Sequence, residues 1–267
     1  MEINNLVFGG GGIKGIAFIG VLKKLEEKNV LKNIKRFAGT SIGSLIITMY
    51  LVGMTPDEIK DYIYRYDFKK FSEINILGLL SEYSVNNGNQ LYDVMTGIFK
   101  KNKMDLYITL DDFFSVTGKE FTIITTSLTK QDVVYLSHKS WPNLPLFVAL
   151  KMSMAVPIFY KPILYNEEYY VDGGLTNNFP MNVFNSHDTL GIRLDIFDNK
   201  IEINSFGEYL KAMFGCVAKM VDRTASNGKI VDLNIVHMGP LDFDIDLQTK
   251  KKLFVLGYDS LNEIIIA

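Results

Sequence analysis

A serine held between glycines, Gly39-Thr40-Ser41-Ile42-Gly43, is the stretch of this chain best suited to do chemistry. It follows the apolar run Ile34 to Ala38 and precedes Ser44-Leu45-Ile46-Ile47-Thr48-Met49-Tyr50-Leu51, which reads as a buried helix. A serine hydroxyl is a weak nucleophile until geometry and a base activate it. Strand, tight turn and helix supply the geometry: the turn lifts the hydroxyl out, and the helix N-terminus favours the negative charge that develops. Glycines two residues to either side are expected where the backbone passes too close for a Cβ. Many chains contain such a five-residue pattern by chance, so its partners decide its meaning.

The first partner is a glycine run. Gly9-Gly10-Gly11-Gly12 follows the short apolar strand Leu6-Val7-Phe8, and Gly10 to Gly15 formally matches the G-x-G-x-x-G of dinucleotide sites. That use requires an acidic residue roughly 20 positions on, ending the second strand, to hold a ribose hydroxyl. Here the second strand ends Arg36-Phe37-Ala38-Gly39, and Glu26 and Glu27 fall on the preceding helix. A P-loop fails as well, because Gly15 is followed by Ile16-Ala17 rather than by lysine and a hydroxyl residue. The third use is an oxyanion hole, in which the amides of Gly10, Gly11 and Gly12 point at one spot and the helix N-terminus adds positive potential. Two consecutive strands of a parallel sheet end side by side, which would bring these amides near Ser41. A glycine-rich turn without chemistry is the remaining reading, and four consecutive glycines are entropically costly for that alone.

The second partner is a base. Only three histidines are present, His138, His187 and His237, and each sits at a strand end or in a polar turn that suggests a surface or structural role. Asp172 is the better candidate, because it ends the short strand Tyr169-Tyr170-Val171 and Gly173-Gly174 frees its carboxylate to approach another loop. Aspartate is a weak base at its reference pKa of about 3.9, so a partly desolvated setting is required. An ordinary Asp-Gly turn is the competing reading.

The elements that must position these residues alternate between strand and helix. Apolar residues recur at helical spacing from Ile13 to Lys28; Thr55-Pro56-Asp57-Glu58 reads as a helix start. Glu120 to Thr126 and Val133 to Leu136 read as strands paired through the turn Leu128 to Asp132. Thr189 to Ile196 and Val231 to His237 read as further strands, with helices expected near 206–223 and 248–262. The pattern implies one α/β domain spanning 1–267, its sheet covered by helices on both faces. Residues 65–115 look least regular and suit a lid or a substrate-shaping insertion.

Taken together, the motifs resemble the patatin-like phospholipase family, whose members carry a glycine-rich oxyanion loop, G-x-S-x-G and D-G-G or D-G-A in that order. Here these are Gly10–Gly15, Gly39–Gly43 and Asp172–Gly174; Lys151-Met152-Ser153-Met154-Ala155-Val156-Pro157-Ile158-Phe159 and Leu175-Thr176-Asn177-Asn178-Phe179-Pro180 resemble the segments flanking the aspartate. The resemblance covers about residues 5–195 and implies the patatin-like fold with a mostly parallel sheet. It also implies Ser41 as nucleophile, Asp172 as base of a Ser–Asp dyad, and Gly10, Gly11 and Gly12 as oxyanion donors, with Gly15, Gly39, Gly43, Gly173 and Gly174 supporting the motifs. The implied reaction is hydrolysis of fatty-acyl esters of glycerolipids, without metal or organic cofactor. Gly9 and Lys14 depart from the family, where aspartate and arginine are common.

A lipid substrate would leave an aggregate, so an apolar entrance is expected. Tyr62 to Phe71 mixes aromatic with basic residues and suits either a lipid surface or a helix packing its rings into the core. Ile74 to Leu80 poses the same choice. A net charge of −2 gives no overall reason to expect nucleic acid, and one cysteine, Cys216, excludes an intramolecular disulfide framework and any cysteine-rich zinc site. No signal peptide is read at the start, and no apolar run approaches the roughly 20 residues needed to cross a bilayer. The expectation is a cytoplasmic protein, with peripheral membrane contact and oligomeric state left open. An esterase or thioesterase acting on soluble acyl compounds and a catalytically idle lipid-binding module are the competing functions; a nucleotide-binding oxidoreductase lacks its ribose acid.

Overall fold

The computed structural model describes residues 2–72, 75, 77–184, 186–195, 203, 208–209, 212–213, 215–217, 227–235 and 238–262. Its strands are β1 (Asn5–Phe8), β2 (Arg36–Thr40), β3 (Ser84–Asn86), β4 (Glu120–Ser127), β5 (Asp132–Leu136), β6 (Ile158–Tyr160), β7 (Ile163–Tyr165), β8 (Glu168–Asp172), β9 (Thr189–Asp195) and β10 (Lys229–Asn234). The helices described end to end are α1 (Ile16–Glu27), α2 (Ile42–Leu51), α3 (Pro56–Arg65), α4 (Gly78–Glu82), α5 (Asn89–Lys101), α6 (Leu110–Thr117), α7 (Leu146–Met154) and α8 (Leu247–Asp259).

β1 is buried at every residue because it lies inside the sheet, paired in parallel with β2 on one side and β9 on the other. β10 extends the parallel part beyond β9, and β4 extends it beyond β2. Alternation along β1 assigns its side chains to two cores: Leu6 and Phe8 join the large cluster with α1 and α2, while Val7 packs with Ala38, Phe179, Met181 and Phe184 on the other face. This is the α/β domain with a mostly parallel, helix-flanked sheet that the element pattern implies.

β4 carries the relationship that brings the motifs together. Its Glu120–Ile124 half pairs in parallel with β2, and its Thr125–Ser127 end pairs antiparallel with β8. β5 pairs with β4 across both of those stretches, so β2 and β8 must share the opposite edge. The two strands therefore meet head to head: Thr40 pairs with Ile124, and the next position, Thr125, pairs with Asp172. A residue just past Thr40 and the last residue of β8 arrive at the same place.

Local signals set several boundaries as expected. Thr55 Oγ1 accepts from Glu58 N at 3.2 Å while Glu58 Oε2 accepts from Thr55 N at 2.9 Å, a reciprocal cap that starts α3. The second strand begins at Arg36 rather than Ile34, because Leu31–Asn33 forms a 3-10 turn and Ile34 serves as a buried plug. The region 65–115 is more regular than its sequence suggests. α5 buries Leu91, Val94, Met95, Ile98 and Phe99 at helical spacing, and α6 starts on a Thr109 cap. The helix expected near 206–223 and the ends of the strands at Ile196 and His237 lie largely outside the described residues. Among the described residues, no helix is long and apolar enough to cross a membrane.

Candidate active site

Ser41 occupies a backbone conformation that a serine adopts only under constraint, with φ 53° and ψ −124°. The neighbouring glycines explain how the turn closes so tightly. A Cβ on Gly39 would stand 2.7 Å from Ser44 N, and one on Gly43 would stand 2.6 Å from both Phe8 O and Gly9 O. Ser41 N–H donates to Ser153 Oγ on α7 at 3.0 Å, and Ser44 Oγ donates to Ser41 O at 2.6 Å. α2 begins at the following residue, so its N-terminus lies beside the hydroxyl.

Asp172 is held from three sides. Its N–H donates to Ala155 O at 2.8 Å, its carbonyl accepts from Thr126 Oγ1 at 3.0 Å, and its Oδ1 accepts from Gly174 N at 2.7 Å. The residue is only 5% exposed, and this burial drives the carboxyl pKa up from 3.8 to about 6. The Ser41 hydroxyl and the Gly174 amide oppose that rise, being close enough to favour the ionised form. No hydrogen bond of normal geometry yet joins Ser41 to Asp172, and Oδ2 has no partner among the described residues. Catalytic hydrogen bonds are often long in unliganded sites and tighten around the substrate. At neutral pH the carboxylate is ionised and far more basic than a solvated aspartate.

The glycine loop lies where its strand pairing requires, beside the serine turn: a Cβ on Gly10 would stand 3.5 Å from Ser41 Cβ. The expected set of oxyanion donors narrows, because Gly10 N–H donates to Asn178 O at 2.9 Å. The amides of Gly11 and Gly12 have no acceptor among the described residues. Gly12 takes φ +57° and presses against the backbone of Pro240, which accepts from Ile13 N at 3.0 Å. Lys14 is buried and donates to Ile235 O at 3.0 Å, tying the loop to the end of β10.

An apolar cavity of about 740 Å³, counting the part that opens to solvent, runs from Ser41 along α2. Ile42, Leu45, Ile46 and Met49 give it one wall, and Phe71 and Phe243 contribute to another. Tyr66, Phe68, Phe71 and Phe243 pack ring to ring. Lys250 braces that cluster by donating to Ile63 O, Tyr64 O and Tyr66 O. The rings around Phe71 thus pack inward, while Lys69 and Lys70 stay exposed. The histidines are not brought to the site as far as they are described: His138 stacks on Phe114 at 4.0 Å and His187 is exposed. Two residues of the site escaped individual notice in the sequence, Ser153 and Asn178; both lie in segments flanking the aspartate.

A buried serine on a strained strand–helix turn, a carboxylate of raised pKa, open glycine amides and an apolar channel thus come together at the ends of β1, β2 and β8. The model of the patatin-like phospholipases matches residues 6–185, and the chain belongs to this family, and with it to the lipid hydrolases. A relative described as the probable lipid hydrolase 463L of Invertebrate iridescent virus 6 is 30% identical over 67% of this chain. The protein R571 of Acanthamoeba polyphaga mimivirus is 28% identical over 99% of this chain and 94% of its own length. Among solved structures, VipD from Legionella pneumophila covers the whole chain with a TM-score of 0.59 at 15% identity, and the type III effector ExoU does so with 0.59 at 16%, which shows the shared fold. The chain spans 62% of the iridescent virus hydrolase, 67% of VipD and 53% of ExoU.

Proposed function

We propose that the protein hydrolyses fatty-acyl esters of glycerolipids, with Ser41 as nucleophile and Asp172 as its base. The observation that carries this reading is the course of the apolar cavity, which begins at Ser41 and follows the buried face of α2. Ser41 passes its proton to Asp172 as Oγ attacks the ester carbonyl, and the Gly11 and Gly12 amides receive the oxyanion. The alcohol half leaves with that proton. Water then attacks the acyl-enzyme, and the fatty acid departs.

A membrane surface is the proposed source of the lipid. Leu77 and Leu80 are 83% and 90% exposed on and beside α4, far more than isolated surface leucines require. Together with exposed Lys69 and Lys70 they suit an interface of apolar chains and anionic headgroups.

The test is to incubate wild type, Ser41→Ala and Asp172→Asn with phospholipid, galactolipid, triacylglycerol and acyl-thioester and to follow products by mass spectrometry. Wild type is expected to release fatty acid from glycerolipid esters, and both variants to lose that activity. Release confined to the soluble thioester would overturn the lipid assignment; activity surviving both substitutions would overturn the dyad.

A further inference from the structure

Asn178 has a backbone carbonyl that is engaged and a side-chain amide nitrogen that is not. Its carbonyl anchors Gly10 N–H, and the preceding Asn177 N–H donates to Gly173 O at 2.8 Å. The Asn178 side chain is thereby fixed between the glycine loop and the aspartate loop. Its Oδ1 fills the space a Cβ on Gly10 would need and stands 2.9 Å from the Cβ position of Gly174, which is itself 3.0 Å from Asp172 Oδ1. Its neighbour behaves as a structural asparagine does: Asn177 Nδ2 donates to Tyr135 Oη at 3.2 Å and to Asn182 Oδ1 at 2.9 Å. Asn178 is 7% exposed, and its Nδ2 has no partner among the described residues.

Asp172 Oδ2 is the second buried polar atom here without a partner among the described residues. A donor and an acceptor thus lie unpaired on two loops that approach each other at Gly174, and native proteins leave few such atoms. What the two share is an appetite for a small group that accepts from an amide and donates to a carboxylate. Water is that group, and the second half of the proposed reaction consumes one.

We propose that Asn178 is a catalytic residue of deacylation, which holds the hydrolytic water against Asp172; this rests on the acyl-enzyme reading above. Asn178 Nδ2 donates to the water oxygen and the water donates one proton to Asp172 Oδ2. The oxygen attacks the carbonyl carbon of acyl-Ser41 as that proton passes to Asp172. The tetrahedral adduct then collapses, the bond from carbon to Ser41 Oγ breaks, and Ser41 Oγ takes the proton back from Asp172. One water is consumed and one fatty acid released, with the enzyme restored. Acylation requires no water, so it should proceed without the Asn178 amide.

Stopped-flow turnover of a p-nitrophenyl acyl ester separates the two halves. For Asn178→Ala the expected result is a burst whose rate stays within about threefold of wild type, followed by turnover lowered by roughly a hundredfold to a thousandfold, the range seen when a single positioned donor is removed. Intact-protein mass spectrometry should find the acyl group accumulating on Ser41, and added hydroxylamine, a stronger nucleophile, should restore turnover. A burst rate that falls in step with turnover, with no acyl adduct, overturns the proposal. Asn178→Ser is run beside it, so that poor folding of one variant leaves the same two readouts in the other. Wild type that shows neither turnover nor fluorophosphonate labelling at Ser41 overturns the acyl-enzyme reading itself, a result distinct from a wild type that turns over and an Asn178 variant that does not stall.

Discussion

Ser153 Oγ lies 3.0 Å from the backbone nitrogen of Ser41, so the hydroxyl of one serine holds the main chain of the other. Ser153 is fully buried on α7, and it also stands 3.3 Å from Ser44 Oγ at the start of α2. The strained turn is therefore pinned from a separate helix rather than by its own sequence alone. Ser153→Ala leaves a buried N–H without an acceptor, which costs about 1–3 kcal/mol. Denaturant unfolding should show that loss, and ester turnover should fall while the proposed nucleophile, Ser41, remains. Unchanged stability would mean that the turn does not depend on this contact.

The conformation of Ser41 predicts an unusual stabilising substitution. With φ 53° and ψ −124°, the residue lies in a region natural to glycine and strained for any residue with a Cβ, by about 1–3 kcal/mol. Glycine gives back about 0.4–1 kcal/mol through its freer unfolded chain. Ser41→Gly should thus be more stable than Ser41→Ala by roughly 1 kcal/mol, both being inactive. Paired urea melts decide it, and equal midpoints would show that the turn stores no strain.

Burial of Asp172 has consequences for both activity and stability. As the proposed base it must be ionised, so kcat/KM should rise with pH up to about 6 and level off above it. Stability moves the other way. Below about pH 3.8 the carboxyl is protonated in folded and unfolded chains alike and contributes nothing. Between 3.8 and about 6 the unfolded chain ionises first, so stability falls as pH rises, and above 6 the full penalty is present. At 1.36 kcal/mol per pKa unit that penalty is about 3 kcal/mol. Asp172→Asn removes it and should be more stable than wild type at pH 8 by about 1–3 kcal/mol, with the gap closing towards pH 4. A gap that does not change with pH would sink the idea that burial sets this carboxyl.

Much of this site was legible in the sequence because strained turns and strand ends leave local marks. Gly39 and Gly43 mark the close approaches, and Thr55 with Glu58 marks a helix start by side-chain chemistry alone. What stayed hidden depends on partners distant in the chain. Nothing local says that Gly10 N–H meets Asn178 O, or that Ser153 reaches Ser41 across 112 positions. Both follow from β2 and β8 sharing one edge of β4, a long-range register that no periodicity encodes. The region 65–115 misleads for another reason: α5 contains Gly97 and begins after Gly88 without a side-chain cap, so its start signals are weak although its apolar face is regular.

The cavity along α2 predicts a graded response of chain-length preference. Ser41, Leu45 and Met49 follow one another on a single helical stripe, and the eight steps from first to last span about 12 Å at 1.5 Å per residue. An acyl chain bound to Ser41 must pass Leu45 and Ile46 before it reaches Met49. Enlarging the wall at successive positions should therefore shorten the longest acceptable chain in steps. Met49→Phe should lower kcat/KM for palmitoyl esters by about tenfold while sparing octanoyl esters, since a blocked methylene or two is worth about 1–3 kcal/mol. Ile46→Phe, a turn nearer to Ser41, should penalise octanoyl esters as well. Thermal melts accompany the kinetics, because extra volume in a packed wall itself costs about 1–3 kcal/mol. If both variants lose all chain lengths equally, the acyl chain does not follow α2, and the cavity serves another part of the substrate.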